Sequence, residues 1–244
     1  MQNVVARWAR LAIHCLSMHA LDNPVWKALT THQAQIALNS GMARRFPPEV
    51  CVFGALALPI LPAYEALARL APEPVGLLST GPLQLPPGWT VLRHVELHQM
   101  VHEGEIAALP KQAFNIVELA EADLPELSAL YVATRPGRTL SPRLHQLGGF
   151  VGVREEGKLV AMACLRLHLS GYREISTVGT LSGFESRGYA TALVSTLTER
   201  IHRRGERAFL TVRTDNPRAI EIYRRLGFKE RVQVHSYTIH CAKR

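Results

Sequence analysis

The segment Val178–Thr191 joins an apolar strand to a helix through a short loop built around Arg187 and Gly188. A helix that starts directly after such a loop presents unpaired backbone N–H groups at the positive end of its dipole. Groups of this kind bind phosphate and diphosphate anions. The segment therefore predicts an anion site, although an ordinary strand-to-helix turn explains such a loop about as often.

A second segment, residues 214–228, places polar residues before a short helix and reads TDNPRAIEIYRRLGF. Pro217 suits the first turn of a helix, where its missing N–H is not needed. Asn216 or Asp215 can cap that turn, and Gly227 suits the end of the helix. We therefore expect a short helix that begins at the proline and ends before the glycine.

Together the two segments resemble the acyl-CoA-binding signature of the GNAT superfamily of N-acetyltransferases. The diphosphate loop of that family usually reads Gln/Arg-x-x-Gly-x-Gly/Ala, and residues 185–190 match it at Gly188 and Ala190. Glu185 stands where the family has arginine or glutamine, and a carboxylate there would repel a diphosphate. The second segment matches the family in register at five positions, which are Asn216, Ala219, Tyr223, Gly227 and Phe228.

The resemblance implies a site for acetyl-CoA as the co-substrate. The strand around Gly179 would pair with the pantetheine amides and part from strand 208–213, which leaves a V-shaped gap. Main-chain groups in that gap would polarise the thioester carbonyl, and the Tyr223 phenol would protonate the leaving thiolate. The residues implied for binding are Val178, Gly179, Thr180, Ser186, Arg187, Gly188, Tyr189, Ala190, Thr191 and Asn216.

Acyl transfer to an amine requires a neutral amine, so a base or a water relay must remove a proton. We expect Glu174 to be this catalytic base. It lies six residues before Thr180, and period-two alternation puts both side chains on one face of the strand. A solvated glutamate at a strand end is the equally weighted alternative. His168 is a weaker candidate for the base, since single histidines on strands are more often structural.

Three histidines, His94, His98 and His102, recur every four residues. On a helix or on a strand this spacing puts them on one face, as metal ligands can be. The row has no HExxH pattern and no cysteine partner, so a polar row facing solvent is the favoured interpretation and no metal site is predicted. The four cysteines are far apart and form no CxxC pair, which indicates buried, reduced thiols.

The composition, 47% hydrophobic and 20% charged, predicts a packed globular protein. Residues 1–110 hold seven basic and seven acidic residues, whereas residues 111–244 hold 21 basic and 13 acidic residues, so the net charge of +8 lies in the second half. This charge would attract a polyphosphate such as CoA, but a generic basic surface is equally consistent with it. Nucleic-acid binding competes as an explanation, although no binding motif for it is visible.

The periodicity of residues 111–244 predicts the order β-α-(α)-β-β-β-α-β-α-β, which alone indicates an α/β (α+β) protein with a mixed sheet. The resemblance adds the GNAT fold, a mixed, mostly antiparallel sheet flanked by helices. Residues 1–110 resemble, at 22–26 (DNPVW) and 43–48 (ARRFPP), a bacterial subgroup in which a smaller, incomplete GNAT-like α/β domain precedes the working domain. This first domain would shape the acceptor side of the site or serve only as a stabilising wall.

The pattern of residues 25–43 predicts a helix.

No apolar run approaches the ~20 residues that are needed to cross a bilayer. The longest run, Val50–Leu61, is interrupted by Pro59. The N-terminus does not resemble a signal peptide. We therefore expect a cytoplasmic protein.

The combined features predict an acyl-CoA-dependent N-acyltransferase that moves an acetyl group from acetyl-CoA to an amine by direct attack. The alternative is a non-catalytic acyl-CoA-binding or regulatory module on the same scaffold. The identity of the acceptor amine, the length of the acyl chain and the oligomeric state stay open.

Overall fold

The computed structural model describes residues 19–104 and 114–242. The α-helices of this part are α1 (Pro24–Thr30), α2 (Leu61–Leu70), α3 (Leu124–Thr134), α4 (Tyr189–His202) and α5 (Pro217–Arg225). The strands are β1 (Leu38–Ser40), β2 (Ala43–Arg45), β3 (Gly54–Leu56), β4 (Val75–Ser79), β5 (Trp89–His102), β6 (Ile116–Leu119), β7 (Phe150–Glu155), β8 (Lys158–Leu169), β9 (Tyr172–Thr180), β10 (Arg207–Arg213) and β11 (Phe228–Cys241).

Eight of these strands form one sheet in the order β4-β11-β5-β10-β9-β8-β7-β6, and β1, β2 and β3 form a small second sheet. Every neighbouring pair in the large sheet is antiparallel except β9 and β10. The predicted fold class, a mixed and mostly antiparallel sheet flanked by helices, is confirmed.

Strands from both halves of the chain build this sheet. β5, from the first half, lies between β10 and β11 and is hydrogen-bonded to both. The predicted domain boundary between residues 110 and 111 falls in 105–113, outside the described residues, and the division stays a prediction. What the structure shows is that the second half does not supply its sheet alone.

Each face of the sheet carries its own core, since neighbouring residues on one strand point to opposite faces. On β10, Phe209 joins the core beneath α1 and α3, and Leu210 joins the core beneath α4 and α5. A third core lies under α2, where Tyr64, Trp89 and Ile239 meet. An apolar stripe on α4 is buried in the second of these cores and consists of Leu193, Leu197 and Ile201.

The predicted helix over residues 25–43 is wrong beyond Thr30, where α1 ends. Gln33 explains the change, because its side chain bonds to the main chain of β8. Its amide nitrogen donates to the Arg166 carbonyl oxygen at 2.8 Å, and its oxygen accepts the His168 N–H at 3.2 Å. In the described part of the chain, no helix is both long and apolar enough to cross a membrane.

Candidate functional site

The loop after β9 leads into α4 without a side-chain cap. Gly188 takes the cap position with φ 91°, and Ser186 also has a positive φ of 65°. The loop from Gly183 to Arg187 is largely exposed, and Ala190 and Thr191 lie in the first helical turn behind it. The N–H groups of this turn therefore face an open surface at the positive end of the helix.

Side chains around the loop supply positive charge and occupy one amide. Arg218 of α5 donates from Nη2 to the Ser186 hydroxyl oxygen at 2.8 Å, and Arg187 lies over the ring of Phe184 at 4.8 Å. The carboxylate of Glu185 accepts the Gly183 N–H at 2.8 Å. The Glu185 carboxylate is therefore bonded within its own loop, and the exposed guanidinium groups of Arg187 and Arg218 flank the start of α4.

Arg218 is a residue that the sequence reasoning missed. It occupies a variable position of the second segment, between Pro217 and Ala219, so no motif marks it. Its position in the first turn of α5 was the only available signal, and the fold brings it across to the loop before α4.

β9 and β10 are paired at their N-terminal ends and are not paired beyond them. They pair over three residues each, and the last pair joins Glu174 to Phe209. Beyond it β9 stays bonded to β8 through Gly179 and Thr180, and β10 stays bonded to β5. Because each strand is held by its outer neighbour, the predicted gap between them is open, and Val178, Gly179 and Thr180 lie along its β9 edge.

The prediction that Glu174 and Thr180 share one face is wrong because β9 contains a bulge. Thr177 has a φ of 56°, and two residues of β9 oppose one residue of β8 between the pairs Met162–Gly179 and Cys164–Ser176. An extra residue reverses the alternation of side chains. Thr180 therefore faces the side of α4 and α5, whereas Glu174 faces the side of α1 and α3.

Glu174 also lacks the freedom that a catalytic base needs. It is 0% exposed, and both of its oxygens accept from Arg166, at 2.8 Å from Nε and 2.6 Å from Nη2. Burial works to lower the pKa of the Arg166 guanidinium, but the charge and hydrogen bonds of Glu174 together with the neighbouring Cys51 and Cys164 outweigh it, and that pKa rises. The pair is a buried ion pair at the apex of the gap. His168 is no better placed, because its Nε2 lies 2.5 Å from Glu206 Oε1 at the closed end of β9.

Tyr223 of α5 packs against Phe228 in the core beneath α4 and α5. Burial raises the pKa of its phenol to about 12, and the charge of Arg135 works against that rise. A phenol with this pKa keeps its proton at neutral pH, so its O–H can donate a hydrogen bond to an anion such as a thiolate.

Arg135, at the end of α3, is a second residue that the sequence reasoning missed. It donates from Nη2 to the Val178 carbonyl oxygen at 2.7 Å and from Nη1 to Thr134 Oγ1 at 2.8 Å. A Cβ at Gly179 would lie 3.0 Å from Nη1, so a larger residue there would push the guanidinium back from β9 by a few tenths of an ångström. The gap therefore has a cation on its α3 side.

Asn216 caps α5, since its side-chain oxygen accepts the Ala219 N–H at 3.1 Å. The predicted start of that helix at Pro217 is confirmed. The exposed carboxamide keeps its NH₂ group for another partner. Tyr189, by contrast, is buried with its hydroxyl 2.5 Å from Glu155 Oε1, so its side chain anchors α4 and only its main chain faces the loop.

The histidine row and the cysteines depart in part from their predictions. His94 is exposed, but His102 is 2% exposed and packs on Phe228, so a solvent-facing row is wrong for that residue. Cys51 and Cys164 are buried free thiols, as predicted, and burial raises the pKa of both, whereas the free thiol of Cys241 is only partly buried and the prediction is wrong for it. Cys15 lies outside the described residues.

Comparisons with known proteins agree with the fold. Residues 150–237, from β7 into β11, match a protein family described as FR47-like protein. The structure of a Novosphingobium aromaticivorans protein assigned to the GNAT family of acetyltransferases is 33% identical, with a TM-score of 0.84, and the match covers 93% of this chain and 100% of that one.

Two more distant structures share the fold. A GCN5-related N-acetyltransferase from Kribbella flavida is 18% identical with a TM-score of 0.58, and the match covers 87% of this chain and 95% of that one. A GCN5-related N-acetyltransferase-like protein from Streptococcus suis is 13% identical with a TM-score of 0.52, covering 84% and 82%. Among curated proteins, none matches this chain.

Proposed function

This chain belongs to the GNAT family of N-acetyltransferases, and we propose on that premise that it moves the acetyl group of acetyl-CoA to an amine by direct attack. The observation that carries the proposal is the open gap between β9 and β10 beside an uncapped start of α4. A thioester fits where two strands part, and a diphosphate fits where a helix offers free N–H groups.

In this proposal, acetyl-CoA is bound more by main-chain groups than by side chains. The N–H groups of the first turn of α4 hold the diphosphate, and Arg187 and Arg218 supply the opposite charge. The main chain at Val178, Gly179 and Thr180 pairs with the pantetheine amides. The remaining contacts in this proposal come from Ser186, Gly188, Tyr189, Ala190 and Thr191 through the loop and helix start, and from Asn216 through its NH₂ group.

The acetyl transfer forms a C–N bond and breaks a C–S bond. The raised pKa keeps Tyr223 protonated before the step, and its O–H donates to the sulfur as the C–S bond breaks. Because a thiol is a stronger acid than this phenol, the transfer is completed as water returns a proton to the phenolate. The amine loses its own proton to water, because Glu174 is held by Arg166 and cannot accept it. The reactive form is then the neutral amine, and its abundance sets the rate at low pH.

The acceptor amine approaches, in this proposal, from the face of the sheet that carries Arg135. Residues 46–53 of the first half lie on this face. The Glu49 carbonyl oxygen accepts the Arg143 N–H at 2.9 Å, and the Arg166 guanidinium lies over Phe53 at 4.9 Å. These contacts support the first half as a wall of the acceptor site. The charge of Arg135 favours acceptors that carry an anionic group near the amine.

Two measurements on the whole chain test the proposal. Excess acetyl-CoA should raise the midpoint of thermal unfolding, because a ligand that binds only the folded state stabilises it. Release of free CoA thiol should then be followed with a panel of amines, in which each amino acid is paired with its carboxamide. No thermal shift with acetyl-CoA would defeat the binding site, and no thiol release with any amine would defeat the enzymatic activity.

Replacing Tyr223 separates its role in catalysis from its role in packing. Tyr223→Phe should lower kcat by about 10²-fold or more, the range for a lost general acid, with the Kd for acetyl-CoA unchanged. Tyr172→Phe is the matched control, because Tyr172 lies at the closed end of β9, where β9 is still paired with β10. The kcat of this variant should equal that of the wild type. Equal kcat in wild type and Tyr223→Phe would remove the phenol from the mechanism.

A non-catalytic acyl-CoA-binding module is the second candidate function. One observation favours it, which is that the Glu185 carboxylate occupies the Gly183 N–H and places negative charge in the loop. Such a module would show a thermal shift with acetyl-CoA but no thiol release with any amine. Glu185→Gln should tighten acetyl-CoA binding under both proposals, since it removes a repulsive charge.

A further inference from the structure

Three polar side chains converge midway along the β5–β11 pair. His94 and Glu96 come from β5 and His235 from β11, and one ligand atom of each lies within 4.8 Å of the others. His94 Nε2 and His235 Nδ1 are 3.0 Å apart. His94 and Glu96 are exposed and His235 is half-buried, so the group is open to solvent.

The backbone holds these side chains in place. His235 lies directly opposite Glu96, and Tyr237 lies directly opposite His94, so all four side chains share one face of the sheet. The Tyr237 ring stacks on the His94 ring with centroids 4.4 Å apart and planes 10° apart. Paired strands and a stacked ring give the cluster the rigidity that a binding site needs.

We propose that His94, Glu96 and His235 bind a divalent transition-metal ion such as zinc. Two imidazole nitrogens bonded to zinc at about 2.0–2.1 Å with a tetrahedral angle lie about 3.3 Å apart. The 3.0 Å separation of the two nitrogens is close to that value, so small side-chain rotations admit the ion. The ion takes the place of the hydrogen between the two rings, and the ring that donated it binds the ion as the tautomer with its hydrogen on the other nitrogen. A carboxylate and an open position complete the coordination.

A second group of residues has similar donor atoms, but a neighbouring arginine prevents one of its histidines from binding a metal. His32, His168 and Glu206 also come within 4.8 Å, but Arg173 Nη1 lies 3.5 Å from His168 Nδ1. Arginine can only donate, so it favours the tautomer in which Nε2 carries the hydrogen toward Glu206. That nitrogen then has no lone pair for a metal, whereas no arginine bonds to the rings of His94 or His235 in the described residues.

The proposed ion would join β5, from the first half of the chain, to β11, from the second. Glu96 also accepts the Thr214 N–H through its main-chain oxygen at 3.2 Å, in the segment that leads to α5. Metal binding should therefore stabilise the junction of the two halves as well as the cluster itself, because only the folded chain brings His94 and His235 together.

The test uses the purified full chain and the metal alone. Titration with Co²⁺ should give the visible absorption of a four- or five-coordinate site at one ion per chain, and Zn²⁺ should displace it. His94→Ala and His235→Ala should each weaken zinc binding at least ten-fold, and Glu96→Gln should weaken it less. His240→Ala is the matched control, because it removes an imidazole from β11 outside the cluster and should leave zinc binding unchanged.

Circular dichroism of each variant without metal shows whether it is folded, and His235→Asn is a milder replacement should His235→Ala unfold. The proposal is overturned if the wild type binds no zinc below millimolar concentration. It is equally overturned if His94→Ala and His235→Ala bind zinc as tightly as the wild type, which would place the ion at another site. None of these readouts depends on acetyl transfer, so they stand apart from the proposed enzymatic function.

Discussion

At the scale of single residues, the Tyr223 phenol sets the expected response of the enzyme to pH. Burial raises its pKa to about 12, so it stays protonated through the range in which most amines lose their proton. We predict that kcat/KM rises with pH as the acceptor amine becomes neutral, with no fall caused by Tyr223 below about pH 11. A pH–rate profile from pH 6 to 10.5 checks this. A falling limb near pH 9–10 that disappears in Tyr223→Phe would contradict it.

Glu174 gives a second prediction, on stability. Glu174→Gln leaves the Arg166 guanidinium buried without its counter-charge, and breaking a buried ion pair from one side costs about 3–5 kcal/mol. Urea unfolding should show a loss of that order, while kcat of the folded fraction stays near the wild-type value. The exposed Glu65→Gln, on α2, should change neither quantity. If Glu174→Gln is as stable as the wild type but its kcat is reduced a hundred-fold, the result would support Glu174 as the catalytic base and contradict this prediction.

The residues that the sequence identified and those that it missed differ in a physical way. Asn216 was identified as a candidate cap from the local sequence, and Tyr223 was identified through the resemblance to the GNAT family, whose motif a helix keeps in register. Arg135 and Arg218 were missed because their importance comes from contacts across the fold, to β9 and to the loop before α4. Glu174 was misplaced by a single extra residue in a strand, which no alternation pattern shows in advance.

At the scale of elements, the loop and the start of α4 form the anion site together with the first turn of α5. Arg218→Ala removes a guanidinium that bonds to Ser186, and we predict an increase of about ten-fold in the Kd for acetyl-CoA, in line with one charge-assisted hydrogen bond. The loss should shrink as salt is raised, because salt screens exposed charges.

The matched control for that prediction is Arg224→Ala, since Arg224 lies on the same helix but faces Glu230, 3.9 Å away. Its Kd for acetyl-CoA should equal that of the wild type. If both variants weaken binding equally, the effect comes from net charge and not from a contact at the loop.

Helix ends were predictable wherever a local signal exists. The start of α5 follows from Pro217 and a capping side chain, and the structure has both. The end of α1 does not, because Gln33 leaves the helical path to bond with β8, more than 130 residues away in sequence. Local chemistry therefore predicts caps, and tertiary contacts decide where a weakly marked helix stops.

At the scale of the whole molecule, the sheet contains strands from both sides of the predicted domain boundary between residues 110 and 111. The order of elements in the second half predicted a mixed sheet and the resemblance added the GNAT fold, but neither indicated that β5 lies between β10 and β11. Strand partners far apart in sequence are set by packing and register, and neither can be read from one strand alone. The net charge of +8 in the second half similarly says nothing about which half completes the sheet.

The shared sheet predicts that residues 111–244 cannot fold as an isolated fragment. β11 is hydrogen-bonded only to β5 and β4 among the described strands, and without them it has no neighbour. β10 would keep a three-residue ladder to β9 and lose the five-residue ladder to β5. The fragment should therefore lack a cooperative unfolding transition by circular dichroism and show no thermal response to acetyl-CoA.

Co-expression with residues 1–110 should restore both signals, because the two fragments can then rebuild the β5–β11 and β5–β10 ladders. This rescue distinguishes a missing strand from a fragment that simply aggregates. A fragment 111–244 that unfolds cooperatively and responds to acetyl-CoA by itself would show the opposite, namely that the second half is an autonomous domain and that β5 only adds to a sheet already stable without it.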